Sequence, residues 1–187
     1  MSLICVLSFV FLTLQFAAPV WVGENSFQSE IALAQSNYPE IEGIHTNIAS
    51  FTYAVGEFIC HQRPDRSLKV SGNYLPLCVR CLGILVGMTM TFGYSLFVIN
   101  PTGKFFEALN QFLPPRLREI QPSWLPVVLI GAMLMTPMTL DGLAQLITGY
   151  ESTNVKRIIT GFLFGIGEGG LIVGIVSHLC YYIQDHD

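Results

Sequence analysis

The chain has 187 residues, of which 51% are hydrophobic and only 12% are charged. Because soluble domains carry about 25% charged residues, this composition predicts an integral membrane protein in contact with the lipid bilayer. The net charge of −4 and the lack of a long basic run argue against nucleic acid as a partner. Five cysteines are too few for a disulfide-dense secreted scaffold. The composition leaves the oligomeric state open.

The first segment, residues 1–22, is almost uncharged and long enough to cross a hydrocarbon core of about 30 Å. It fits either a retained membrane anchor or a secretory signal, since residues 32–34 offer an A-x-A cleavage site. The absence of any Lys or Arg before Arg63 favours the anchor. The predicted organisation is therefore an anchor or signal at 1–22, a polar acidic linker at 23–43, and a helical membrane domain at 44–187.

Four segments of the membrane domain have the pattern of helices. Residues 44–58 place apolar side chains at helical spacing, which predicts a helix that either crosses the membrane or lies at its interface. Longer apolar runs follow at residues 77–99, 124–147 and 158–183. Pro76 suits the first helical turn of the first of these runs. The sequence therefore predicts an all-α bundle of four to five membrane helices.

Two of these runs separate residues 60–81 from a polar turn at 148–157. Because two crossings return a chain to the same face of the membrane, we expect both segments to lie on one face, together with Asp141 and Gln145. That face carries most of the basic residues, namely Arg63, Arg66, Lys69, Arg80, Lys156 and Arg157. The opposite face carries Lys104, Arg116 and Arg118. The positive-inside rule thus predicts a polar site on the cytoplasmic side of a bacterial inner or intracellular membrane.

Cysteine and histidine residues on this face predict a metal site. Cys78 and Cys81 are three residues apart and share a helix face, where the helix N-terminus and Arg80 favour thiolates. With Cys60 and His61 they form a Cys3His donor set for Zn2+ or another soft divalent metal. Adjacent residues such as Cys60 and His61 are unusual as ligands of one ion, so one of the two fits a supporting role equally well. A redox or nucleophilic dithiol, and small cysteines that only fill space, are the alternatives.

Asp141 and Gln145 are four residues apart on one helix face. A carboxylate in a membrane helix is costly unless it is paired, and Arg66, Arg80, Arg157 or a metal are its candidate partners. We predict that Asp141 acts as an acid–base group or a metal ligand, and that the arginines hold an anionic headgroup. The alternative is a buried ion pair that only fixes the helix register.

The last apolar run contains Glu168 near its middle and no basic residue. Such a residue is typical either of a proton-linked carrier or of a neutral, hydrogen-bonded acid between helices. Glycines recur every four residues in two of the runs, at Gly83 and Gly87 and at Gly161, Gly165 and Gly169. This small-xxx-small spacing lets helix backbones approach closely, so we expect close helix packing at these glycines.

Four ordered motifs resemble those of a family of small bacterial and archaeal integral membrane proteins of unknown function. The motifs are Cys-His-Gln…Arg-Ser, Leu-Cys-x-Arg-Cys-x-Gly, Asp-Gly-x-x-Gln and Asn-x-x-Arg-x-x-Thr-Gly. In this chain they comprise Cys60, His61, Gln62, Arg66, Ser67, Cys78, Arg80, Cys81, Gly83, Asp141, Gly142, Gln145, Asn154, Arg157, Thr160 and Gly161. The resemblance runs from about residue 44 to the C-terminus. It implies a multi-span membrane protein in which these residues act as one unit, and it implies no particular activity.

Three functions fit these features. In the first, a membrane protein with a single polar site binds a zinc-like metal and acts on a lipid-soluble substrate, with the metal or a thiolate activating water or a substrate oxygen. In the second, a proton-linked transporter of small molecules or ions uses Glu168, although no inverted internal repeat is visible. In the third, the chain is a structural or assembly subunit of a membrane complex. The sequence favours the first function and leaves open whether the chain is an enzyme.

Overall fold

The computed structural model describes residues 2–22, 44–60, 63–100, 104–120 and 122–184. The predicted linker at 23–43, with the A-x-A site inside it, lies outside these residues. The candidate metal ligand His61 and its neighbour Gln62 also lie outside them.

Helices dominate the described part of the chain. They are α1 (Ser2–Trp21), α2 (Ile44–Ile59), α3 (Val79–Val98), α4 (Phe105–Asn110), α5 (Pro115–Arg118), α6 (Trp124–Thr148) and α7 (Asn154–Gln184). A 3-10 turn at Pro64–Arg66 and an antiparallel hairpin of two short strands, β1 (Lys69–Val70) and β2 (Asn73–Tyr74), connect α2 to α3. Four helices, α1, α3, α6 and α7, are long and apolar enough to cross a membrane. The prediction of an all-α membrane bundle is confirmed.

The centre of the bundle is the contact between α3 and α7, which lie parallel to each other. Gly83 of α3 faces Ile158 and Phe162 of α7, and Gly87, one turn later, faces Phe162 and Gly165. Because the contacts advance in the same direction along both helices, the two N-termini lie side by side. A Cβ atom on Gly83 would stand only 2.5 Å from the carbonyl oxygen of Ile158. The close packing predicted from the glycine spacing is confirmed.

This close approach predicts a strong effect of one added methyl group. Replacing Gly87 with alanine places a Cβ against the backbone of Phe162 and Ile166, so the two helices must move apart. We expect the free energy of unfolding to fall by about 1–3 kcal/mol, as in other overpacked cores. Thermal unfolding of the purified protein in one detergent measures this change.

Gly93 provides the matched control on the same helix, because a Cβ there meets nothing within 4 Å. The Gly93→Ala variant is expected to be as stable as the parent, or slightly more stable because alanine favours helices. Equal destabilisation by both substitutions would contradict close packing of α3 on α7.

The start of α3 differs from the predicted one. The helix begins at Val79, and Cys78 is its N-cap with extended backbone angles. Pro76 therefore precedes the helix, and its predicted place in the first turn is wrong. As a consequence, Cys78 lies at the helix end, where the first backbone N–H groups have no carbonyl partner within the helix.

The start of α7 also differs, because the helix begins at Asn154 and shortens the predicted polar turn at 148–157. The hydroxyl of Thr153 accepts a hydrogen bond from the N–H of Lys156 at 3.4 Å, as a capping residue does. Arg157 consequently lies in the first turn of α7, where the helix fixes the direction of its side chain.

Helix α2 lies at the end of α1 rather than along it. Ala18 and Val22 of α1 form a buried cluster with Ala49 and Tyr53 in the middle of α2. If α2 crossed the bilayer beside α1, one end of α2, and not its middle, would contact the C-terminal end of α1. The 16 residues of α2 are also fewer than the roughly 20 that a span requires. We therefore interpret α2 as an interface helix, one of the two alternatives that the sequence leaves open.

The β-hairpin ties this region together, and the sequence analysis did not predict it. Its two-residue turn has positive φ at both Ser71 (50°) and Gly72 (78°), as the tight turns favoured in hairpins require. Asn73 donates a hydrogen bond from Nδ2 to the carbonyl of Pro19 at 2.8 Å, and Tyr53 donates one from its hydroxyl to the carbonyl of Tyr74 at 2.7 Å. The hairpin thus fixes α1 and α2 beside the start of α3.

Candidate functional site

Three of the four predicted metal ligands come together where α2 ends and α3 begins. Cys60 follows the last turn of α2, Cys78 caps α3, and Cys81 lies in the first turn of α3. The three Sγ atoms lie within 4.8 Å of one another. The Cys78 and Cys81 sulfurs are 3.5 Å apart, and the backbone N–H of Cys78 donates a hydrogen bond to the Cys60 sulfur at 3.3 Å. All three thiols are free and partly buried.

This sulfur triangle fits three corners of a tetrahedral metal site. Zinc–sulfur bonds of about 2.3 Å place neighbouring sulfurs of a tetrahedron about 3.8 Å apart, close to the spacing found here. Cys5 and Cys180, the other two cysteines, do not belong to the cluster. His61 as the fourth ligand remains a prediction, because it lies outside the described residues.

The surroundings of Cys78 favour its thiolate form. Side-chain hydrogen bonding with Cys60 and Cys81 lowers the pKa of Cys78, and backbone hydrogen bonds with Cys81 and Arg80 lower it further. The hydrogen bond with Cys78 correspondingly raises the pKa of Cys60. Since the thiolate is both the metal ligand and the nucleophile, the cluster is suited to either chemistry.

Asp141 forms an ion pair with Arg80 and thereby links α6 to α3. The Arg80 guanidinium donates from Nη2 to Oδ2 of Asp141, and Gln145 donates from Nε2 to the same oxygen at 2.8 Å. The Asp141 side chain is only 10% exposed. Arg80 is therefore its partner among the candidates that the sequence offered, and Gln145 supports it from one turn away.

A cavity of about 350 Å³ opens beside the sulfur triangle, and we call it the arginine pocket. The three clustered cysteines line it together with Arg63, Arg66, Arg80 and Arg157 and three residues from the end of α2, Glu57, Phe58 and Ile59. Asp141 and Gln145 do not line the pocket. Asp141 pairs with Arg80, and Gln145 donates a hydrogen bond to Asp141. Eight of the nine predicted site residues thus belong to one local arrangement, because six line the pocket and Asp141 and Gln145 support it. The ninth, His61, lies outside the described residues.

Contacts across this pocket confirm that the two distant polar segments share one face. Nη2 of Arg66, on the 3-10 turn, lies 3.8 Å from Oε1 of Glu151, in the turn between α6 and α7. Arg157, in the first turn of α7, lines the same pocket as Cys60. These contacts join residues 60–81 to residues 148–157, as counting membrane crossings predicted.

Arg63 and the end of α2 are pocket residues that sequence reasoning did not assign to the site. Arg63 has a recognisable signal, because it follows Cys60 by three residues within the same motif stretch. Phe58 and Ile59 look like ordinary apolar helix residues, and only the tertiary arrangement places them at the pocket.

Glu168 lies away from this site. It is eleven residues beyond Arg157 on α7, about 16 Å along a helix axis. In the described part of the chain it makes no hydrogen bond or ion pair, and it does not line the arginine pocket. The structure therefore does not connect it with the cysteine cluster.

The fold and this site define an integral membrane protein with a polar cysteine–arginine centre at one end of a helix bundle. The chain belongs to a family described as predicted membrane proteins (DUF2085), which matches residues 60–172. That match begins at Cys60, later than the resemblance judged from the motifs, and it includes all nine candidate site residues. Helices α1 and α2 both lie before it.

Two archaeal relatives resemble the same portion of the chain. An uncharacterized protein of Methanothermobacter thermautotrophicus is 32% identical over 126 residues, which cover 67% of this chain and 94% of the relative. An uncharacterized protein of Methanocaldococcus jannaschii is 33% identical over 129 residues, covering 69% of this chain and 70% of the relative. No solved structure matches.

Proposed function

We propose that the chain is a membrane metalloprotein that binds a zinc-like ion at Cys60, Cys78 and Cys81 and acts on a lipid-soluble molecule with an anionic group. The observation that carries the proposal is the convergence of three thiols within 4.8 Å at the wall of a cavity that is also lined by arginines. His61, next to Cys60, is a candidate fourth ligand. If it does not bind, the fourth position is open to water or to the substrate.

The residues around the ion have distinct proposed roles. Zinc bound in an open site lowers the pKa of a water ligand and polarises a substrate oxygen. Arg66, Arg80 and Arg157 hold the anionic group of the substrate. Asp141, held by Gln145, keeps Arg80 in position, which is the role that its ion pair supports best. A direct acid–base role for Asp141 remains a prediction.

The position of the pocket supports a substrate that comes from the bilayer. Phe58 and Ile59 at its edge are 91% and 52% exposed, and α2 carries them at the level where the membrane helix α1 ends. An apolar tail in contact with lipid and a charged head in the pocket would match this arrangement. The positive-inside rule predicts that the pocket faces the cytoplasm.

The metal content of the purified protein tests the proposal. The full chain, extracted in a mild detergent without chelator, is expected to contain about one zinc or similar ion per chain by elemental analysis. If the cysteines instead form a redox pair, metal is absent and alkylation of Cys78 and Cys81 requires prior reduction. That result, or metal-free thiols that remain reduced and unreactive, would contradict the proposal.

A further inference from the structure

We infer that the arginine pocket is a binding site for a phosphate-type oxyanion, held by Arg66, Arg80 and Arg157. The inference names the anionic group of the proposed lipid-soluble substrate and in that respect rests on the proposed function. Its physical basis is separate from the thiols, because it comes from the charges and unpaired donors of the guanidiniums.

Arg157 is the first of these observations. Its side chain is buried, with 4% of the residue surface exposed, yet among the described residues no carboxylate lies within ion-pair distance. Its one hydrogen bond runs from Nη1 to Oδ1 of the neutral Asn154 at 3.2 Å, and its Nε atom is buried without a partner in that part of the chain. Arginine stays protonated in proteins, and a buried charge without a counter-ion is costly. An anion in the pocket removes that cost.

The other two arginines already have acidic neighbours. Asp141 pairs with Arg80, and Asp65 and Glu151 lie 3.4 Å and 3.8 Å from Arg66. The side chains of Asp65 and Glu151 are 46% and 71% exposed, so water screens them strongly. None of these three carboxylates lies within ion-pair distance of the buried arginine on α7. A zinc ion with three thiolates adds only one net negative charge. Glu57 on α2 is a further carboxylate that lines the pocket. The charge that is left without an acidic partner in the described chain is therefore that of Arg157.

The backbone adds further positive potential at the same place. Helices α3 and α7 lie parallel and both begin at the pocket, so their positive N-terminal ends are neighbours. Two parallel dipoles repel each other at this end, and an anion between them relieves the repulsion. This arrangement follows from the glycine contacts and does not depend on any metal.

The geometry favours a tetrahedral oxyanion over a carboxylate. Arg66, Arg80 and Arg157 reach the pocket from three elements, the 3-10 turn, α3 and α7. A phosphate monoester carries three terminal oxygens and a charge of about −1.5 to −2 at pH 7. It can therefore accept from several guanidiniums at once, whereas one bidentate arginine satisfies a carboxylate. A lipid phosphate headgroup and free phosphate share this chemistry, and the cavity of about 350 Å³ admits either.

Calorimetric titration of the full chain in an uncharged detergent tests the inference with three probes. They are inorganic phosphate, dioctanoyl phosphatidic acid and octanoate. We expect phosphatidic acid to bind more tightly than octanoate, and Arg157→Gln to weaken that binding at least about tenfold, since hydrogen bonds to charged groups are strong. Lys156→Gln is the matched control, because the exposed Lys156 side chain bonds Tyr150 instead, and it is expected to change binding by less than about threefold.

Each outcome decides between named alternatives. Equal binding of inorganic phosphate and phosphatidic acid supports the site with free phosphate as its source, and binding of phosphatidic acid alone supports a lipid phosphate. Octanoate binding as tight as that of phosphatidic acid overturns the oxyanion class. Unchanged phosphatidic acid binding in Arg157→Gln, or equal losses in Arg157→Gln and Lys156→Gln, overturns the site.

Two further measurements keep the result unambiguous. If Arg157→Gln does not fold, Arg66→Gln replaces it, because the Arg66 side chain is 27% exposed and less dependent on packing. Failure of Arg66→Gln to weaken phosphate binding overturns the inference.

Metal content is determined on the same samples. Arginine-dependent phosphate binding without metal refutes the proposed metal function and leaves the anion site standing. Metal without arginine-dependent binding refutes the anion site alone.

Discussion

Replacing Cys81 with serine is expected to remove the metal ion from the protein. A serine hydroxyl is a poor ligand for a soft metal, and two remaining thiolates do not complete a tetrahedral set. Changes to groups that only support a ligand cost 10–100-fold in metal affinity, so losing a direct ligand is expected to cost more than about 100-fold. Elemental analysis of the purified variant, together with a competition titration against a chelator, measures the loss.

Cys180→Ser is the matched control for this experiment. Cys180 is also partly buried, but it lies near the far end of α7 and outside the sulfur cluster. The control is expected to keep the full metal content. Retention of metal by Cys81→Ser, or equal loss in both variants, would show that the sulfur triangle does not hold the ion.

The same site predicts a dependence on pH. The metal binds the thiolate and not the thiol, so binding depresses the pKa of each ligand below that of a free cysteine. A group with a depressed pKa in the folded state stabilises the protein at high pH, and this stabilisation is lost as the pH falls through the depressed value. Metal occupancy and thermal stability are therefore expected to fall together on acidification. In Cys81→Ser this metal-linked fall in stability is expected to be absent.

The second large effect is expected at the ion pair between Arg80 and Asp141. Both side chains are mostly buried, at 20% and 10% exposure. The Asp141→Asn substitution keeps the shape but leaves the Arg80 charge without its partner, and breaking a buried pair in this way costs about 3–5 kcal/mol. Thermal unfolding in detergent is expected to show this as a large fall in the free energy of unfolding.

An exposed ion pair of the same chain is the control for this substitution. Lys104 and Glu107 lie 2.9 Å apart with side chains that are 77% and 51% exposed, and Glu107→Gln is expected to change stability little because water screens such pairs. The double variant Arg80→Met with Asp141→Leu is expected to regain most of the lost stability, since hydrophobic pairs replace buried ion pairs well. A double variant that loses as much as Asp141→Asn would contradict the importance of the unpaired charge.

The sequence itself determined the membrane architecture and predicted that the candidate site residues share one face. Three of the four candidate spans lie in the membrane domain and were predicted from apolar runs long enough to cross a bilayer. The fourth is the apolar segment at residues 1–22. Counting crossings was enough to bring Arg66 and Glu151 to one face, although 84 residues separate them. The glycine spacing predicted close helix packing at these positions, and the structure showed that α3 and α7 pack on each other there.

Local hydrogen bonds decided features that hydropathy does not record. The helix boundary at Asn154 depends on the hydroxyl of Thr153, which accepts a hydrogen bond from the N–H of Lys156. The start of α3 is set by the extended backbone of Cys78 at the N-cap position. The hairpin at residues 69–74 has too few residues for an alternating pattern to show. The interpretation of α2 as an interface helix required its contact with the end of α1, in addition to its length of 16 residues.

Only the tertiary structure decided how the polar residues pair. The sequence offered Asp141 three arginine partners, and the packing of α6 and α3 on α7 brought Arg80 to it. The same packing left Arg157 buried beside a neutral asparagine, without an acidic partner among the described residues. The reason is physical: residue spacing along one helix fixes which side chains share its face. The distance and direction between side chains on different helices depend on how closely those helices approach, and here backbone contact at the glycines sets that approach.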